Sequence, residues 1–221
     1  MRIRVLQTSR GALLQRLAIL IVISLCASPG WSETIVYDNT DPISLSTDCT
    51  GELECGDEIT LAAGPRTVSE FEFAYLGDFN QDGDEAVQIR FYANDGPGGE
   101  PGTMLFDSGD VAVSPSMMPQ FVVLTGLSVS VPDTFTWSLQ ATGLDFENSE
   151  RVKIPFAGPP TVGSSDPSFI WFNSGGGWVM FGRSSDHYAR VTAMPEPGAG
   201  LSFAASTLTL AALARRRVRR R

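Results

Sequence analysis

Residues 33–193 contain no stretch that sustains a 3.6-residue apolar period, which argues against a helical core. Short runs of β-branched and aromatic residues recur instead, bounded by clusters of Gly, Pro, Asp and Asn. Such runs predict strands at 34–37, 67–76, 86–93, 103–107, 110–113, 120–124, 127–131, 134–140, 152–156, 168–173, 177–181 and 187–193. In "EFEFAYL" one face carries Phe71, Phe73 and Tyr75. In "VQIRFYA" one face carries Val87, Ile89 and Phe91. Alternation of this kind buries one side of a strand and leaves the other to water. Many short strands separated by turn signals predict an all-β domain, a sandwich or jelly roll. The long turns "ANDGPGGEPG" and "FAGPPTVGSSDPS", and the Gly-rich "NSGGGW" between two aromatic strands, are where binding loops would lie.

Charge divides the 221-residue chain into three parts. Residues 33–193 hold six basic residues against 24 acids, a formal charge of −18. Such a surface repels nucleic acid and anionic lipid and attracts divalent cations. Nucleic acid is therefore not an expected partner. The remaining ten arginines lie at the two ends.

Arg2, Arg4, Arg10 and Arg16 precede the apolar "LAILIVISLCA" at 17–27, and "SPGWS" follows. This is the layout of a secretory signal peptide, predicted over 1–32 with cleavage after Ser32 or, alternatively, Ala27. Leu25 before Cys26 is too large for a good lipobox. Removing the leader leaves Cys49 and Cys55, in "CTGELEC". Two cysteines closing a small loop in an exported chain predict a disulfide; free thiols are the alternative.

At the other end, residues 198–214 carry no charge and six arginines follow within 215–221. Seventeen helical residues span about 26 Å, slightly short of a bilayer core of about 30 Å. The expectation is one membrane helix with its Arg cluster held on the cytoplasmic side. Pro195 and Pro197 keep that helix from running back into the domain.

Pro195-Glu196-Pro197, an apolar span and a terminal Arg cluster, in that order, resemble the PEP-CTERM sorting signal. The resemblance covers 194–221, with Met194 where the family often has Val. It implies recognition of Pro195, Glu196 and Pro197 by an exosortase-like processing enzyme. It also implies transient anchoring in the inner membrane of a two-membrane bacterium, then release to the cell surface or extracellular matrix. More loosely, "DGDEAVQIRFYANDGPGGEPGTMLFDSG" and "DPSFIWFNSGGGWVMFG" resemble β-rich domains attached to such tails, which implies a fold type and little more.

Three sets of residues could carry chemistry. In "GDFNQDGDEA", Asp78, Asn80, Asp82 and Asp84 alternate around Gly83, like the start of a calcium loop. The twelfth position is Ile89, leaving Glu85 as the nearest replacement for the bidentate Glu. An acidic hairpin turn, where Asp, Asn and Gly are favoured in any case, is the competing reading of these residues. Trp171 and Trp178 flank the Gly-rich turn and could stack on sugar rings; filling the core is the competing role. His187, in "SSDHYAR", has Ser184, Ser185 and Asp186 beside it, but strand neighbours point to opposite faces and no nucleophile elbow is present. His187 reads as a residue on an exposed strand or at a strand end.

The expectation is therefore a leader (1–32), an exported β-sandwich (33–193) and a sorting segment (194–221). The protein is expected to be structural or adhesive, associated with extracellular polysaccharide and not an enzyme. A carbohydrate-binding module is the alternative, and a hydrolase is the weakest reading.

Overall fold

A computed structural model describes residues 32–44, 46–49, 53–145, 149–182 and 186–195. The leader, most of the sorting segment and residues 183–185 lie outside them, as do Glu196 and Pro197. Among the described residues, no helix is long and apolar enough to cross a membrane.

The unit from Glu33 to Glu196 is built of strands. They are β1 (Thr34–Asn39), β2 (Ser46–Cys49), β3 (Glu54–Thr60), β4 (Thr67–Asp78), β5 (Ala86–Ala93), β6 (Met104–Asp107), β7 (Val111–Ala112) and β8 (Ser116–Ser130). They continue with β9 (Thr134–Thr142), β10 (Arg151–Ala157), β11 (Ser164–Ser165), β12 (Phe169–Asn173), β13 (Trp178–Gly182), β14 (Asp186–His187) and β15 (Ala189–Met194). Two antiparallel sheets result, consistent with a β-sandwich. The first runs β1-β15-β4-β10-β14, with β8 on β4 and β2 on β10. The second runs β13-β12-β3-β9-β5-β6, with β11 on β3 and β7 on β5.

The alternation read in the sequence sets the core. Phe71 and Phe73 of the first sheet and Phe91, Phe135 and Trp137 of the second are fully buried. Phe71 lies 5.0 Å edge-on from Phe91 and 5.2 Å from Trp137 (ring centroids), so one ring joins the two sheets. Edge-on packing of this kind adds to the area each ring removes from water.

Three expectations change. The runs at 120–124 and 127–131 form one strand, β8, because Gly126 takes φ +72° and absorbs the break as a bulge. The last run divides into β14 and β15. His187 does end a strand, β14, but is not exposed: it is buried, stacked on Phe156 at 5.5 Å and edge-on to Trp137 at 5.8 Å.

The division of the last run has a polar cause. β15 and β10 both pair with β4, along Thr67–Phe73 and Leu76–Asp78 respectively, so the first sheet forks between them. Backbone groups at a fork lack ladder partners and must be satisfied otherwise. Asn39 Nδ2 donates to the carbonyls of Ala157 (3.3 Å) and His187 (3.0 Å). Asp57 Oδ2, reaching across from β3, accepts the His187 backbone N–H at 2.8 Å. Burial pushes the Asp57 carboxyl well above the usual carboxylate range, and the charge of Asp186 adds to it.

Cys49 and Cys55 are joined as a disulfide, linking β2 of one sheet to β3 of the other. Replacing both by Ser is expected to cost about 2 kcal/mol, since the closed loop is short. Thermal unfolding with and without reductant measures it. A midpoint indifferent to reductant would show that the link adds no stability.

Candidate functional site

The outer face of the second sheet brings polar, charged and aromatic side chains of β3, β5, β9, β12 and β13 together. Pairing sets side chains in rows across strands, because directly opposed residues share a face. Asn173 lies opposite Trp178 and opposite Glu54; Glu54 lies opposite Gln140, and Gln140 opposite Gln88. One row thus reads Trp178, Asn173, Glu54, Gln140, Gln88. The next row contains Trp171, Gly56, Ser138, Arg90 and Asp107 in the same order of strands.

Arg90 organises both rows. Its Nη1 donates to Gln140 Oε1 at 2.7 Å and lies 3.3 Å from Glu54 Oε2. Its Nη2 donates to Gln88 Oε1, and its Nε to Asp107 Oδ2 at 2.8 Å. Burial alone would lower the guanidinium's proton affinity; the Asp107 hydrogen bond and the Glu54 charge outweigh it and raise the pKa. Asp107 is held below the usual carboxylate range, the Arg90 contact overcoming the effect of burial. Glu54 is only 5% exposed, and its Oε1 accepts from Tyr92 Oη (3.0 Å) and Ser138 Oγ (2.5 Å). Burial, then the charge of Glu54, pushes the Tyr92 phenol upward, so Tyr92 remains a donor.

Trp178 is half-buried and meets Tyr92 edge-on at 5.3 Å. Gly56 lies beneath the indole: a Cβ there would make ordinary contact with it at 3.4 Å but would crowd Thr136 Cγ2 at 2.9 Å. Trp171 is 5% exposed and packs edge-on to Phe169 at 5.5 Å. Of the two predicted sugar-stacking indoles, Trp178 is therefore the one with surface to offer. Beside it a depression of about 340 Å³ is lined by Glu54, Gln140, Asn173 and Gly175. A hollow of about 360 Å³ at the sandwich edge is lined by Ser46, Thr47, Asp48, Leu53, Phe172 and Phe181. Its one carboxylate, Asp48, is already ion-paired with Arg151 and Lys153.

The acidic loop divides. Oxygens of Asp82, Asp84 and Glu85 lie within 4.8 Å of one another. Asp78 instead sits 3.8 Å from Arg151 Nε, and Asn80 donates twice to Glu150 Oε1. Glu85 accepts the backbone N–H groups of Asp82 (2.7 Å) and Gly83 (3.1 Å), which lower its pKa. The Asp82 carboxyl is pushed up to about 6, first by its hydrogen bond with Asp84 and then by that group's charge. Gly83 takes φ +109°, a conformation that favours glycine. Around His187, Asp186 is buried, and Ser184 and Ser185 lie outside the described residues.

Sequence reasoning did not assemble Glu54, Gln88, Arg90, Tyr92, Ser138, Gln140 and Asn173 into a site. Part of the signal was present: in "VQIRFYA" and "TFTWSLQ" the residues alternating with the core set are Gln88, Arg90 and Tyr92, and Thr136, Ser138 and Gln140. No family model, no curated protein and no solved structure matches this chain.

Proposed function

We propose that this chain is an exported protein of the cell surface or extracellular matrix, structural or adhesive, whose sandwich binds polysaccharide through the outer face of its second sheet. The observation that carries the reading is the row Asn173, Glu54, Gln140, Gln88 with Trp178 at its end. The amides of Asn173, Gln140 and Gln88 can meet sugar hydroxyls, and an indole offers an apolar surface to the C–H face of a sugar ring; Glu54, 5% exposed and engaged by Tyr92, Ser138 and Arg90, holds the row in place. The reading is one of binding and not of catalysis. Export rests on the leader at 1–32. Sorting by an exosortase-like enzyme, with passage through a membrane-anchored form, rests on the resemblance at 194–221.

Trp178→Ala is expected to weaken retention on insoluble polysaccharide about tenfold, the value of roughly 1.4 kcal/mol. The thermal midpoint should hardly move, since Trp178 is half-buried at an edge strand. Co-sedimentation of the full-length chain reads the first quantity and calorimetry the second. Retention equal to that of the parent would sink the proposal.

Calcium at Asp82, Asp84 and Glu85 is a further part of the reading, as a structural ion in a millimolar-range site. Millimolar calcium is expected to raise the thermal midpoint near neutral pH. The effect should fade below about pH 6, where the Asp82 carboxyl takes up its proton. A midpoint unchanged by calcium or chelator at neutral pH argues for a plain acidic turn.

A further inference from the structure

We infer that the ligand is an uncharged glycan chain laid across the strands, along the amides of Asn173, Gln140 and Gln88 in the row that Glu54 and Arg90 hold in place, with one terminal unit against Trp178. The inference rests on the polysaccharide reading above and names the class and direction of the ligand.

Direction follows from register. The four residues sit on four successive strands, β12, β3, β9 and β5, each directly opposite the next. Three strand spacings come to about 14 Å, a length for an oligosaccharide and not for one sugar. The row is also fixed before any ligand arrives. A single guanidinium, that of Arg90, holds Gln140 and Gln88 by their amide oxygens and pairs with Glu54. Side chains already immobilised lose little further freedom on binding, so each contact delivers more of its gross strength.

Class follows from charge. Arg90 is the one cation among the described residues of this face, and its donors are engaged by Glu54, Asp107, Gln140 and Gln88. Glu54 and Glu58 remain on the same face, within a domain of formal charge −18. A uronic-acid or sulfated chain would meet a like-signed field with, among the described residues of this face, no guanidinium free to receive its carboxylates. An uncharged chain meets amides, hydroxyls and an indole and carries no such penalty.

The test is titration of the full-length chain with four uncharged series, the cello-, xylo-, malto- and manno-oligosaccharides, as dimers and pentamers. Hyaluronan and alginate serve as acidic probes. At least one uncharged pentamer should bind about tenfold tighter than its dimer, and both acidic polymers should bind weaker still. Gln88→Ala should lose about tenfold on the pentamer and nothing on the dimer, because Gln88 lies at the end far from Trp178. Tighter binding of an acidic polymer would overturn the inference and leave the polysaccharide reading standing. Equal binding of dimer and pentamer, or a Gln88→Ala loss on the dimer, would overturn the direction. Failure of every probe would overturn both.

Discussion

Phe71→Ala should lower the free energy of unfolding by about 3–5 kcal/mol, among the largest effects available to a single substitution here. Phe71 is fully buried and its ring touches those of Phe73, Phe91 and Trp137. Two of these belong to the opposite sheet, so the void would open where the layers meet and strands on both sides are tied by ladders that resist collapse. Against a typical total of about 5–15 kcal/mol, such a loss takes a large share. Urea unfolding measures it, with an unchanged slope showing that the two end states are the same. A loss under about 1.5 kcal/mol would mean that the ring does not fill this position.

Asp57→Asn should stabilise the domain, and the gain should grow with pH. Asp57 is fully buried, with Asp186 and Glu58 adding negative charge and Tyr37 and the His187 backbone packed nearby. Its folded pKa stands well above the unfolded value near 3.8. Below that value both states hold the proton and nothing is lost. As pH rises, the unfolded chain releases its proton first, so stability falls until the folded pKa is passed. Each unit between the two pKa values is worth about 1.4 kcal/mol. Asn keeps an oxygen for the His187 N–H and never ionises. Unfolding from pH 4 to pH 8 should show the variant and parent diverging steadily; a constant difference would mean that Asp57 does not titrate differently in the folded state. Asp186 and Glu58, also shifted upward, keep a slope of the same sign in the variant.

The same carboxylate shows where the sequence is hard to read. Strands such as β4 and β5 are legible because their inward residues are all apolar, Phe71, Phe73 and Tyr75 or Val87, Ile89 and Phe91. β3, "ECGDEIT", went unrecognised although it lies at the centre of the second sheet. Its inward set is Cys55, Asp57 and Ile59, and the middle member is charged in water. Only the fork in the other sheet explains a carboxyl at that place. The candidate site was lost for the same reason. Without β3 there is no Glu54 or Gly56 to join Asn173 to Gln140, and the polar alternation in β5 and β9 reads as ordinary solvent exposure. The acidic loop was half legible. Local spacing brought Asp82, Asp84 and Glu85 together, but Arg151 and Glu150, about seventy residues away, claimed Asp78 and Asn80.

Strand order also has a consequence for timing. β15, the last strand among the described residues, lies between β1, the first of them, and β4, and Thr34 pairs with Ala193. The first sheet therefore cannot close while any of residues 189–194 is still to be synthesised. Closing a loop over such a separation costs chain entropy before the contacts repay it, so this pairing forms slowly. A nascent chain can assemble strands of the second sheet earlier, but it cannot cover the Phe71 side of the core with a complete first sheet before residue 194 has been made. Completion of the domain is therefore a late step, made when β15 takes its place between its two partners.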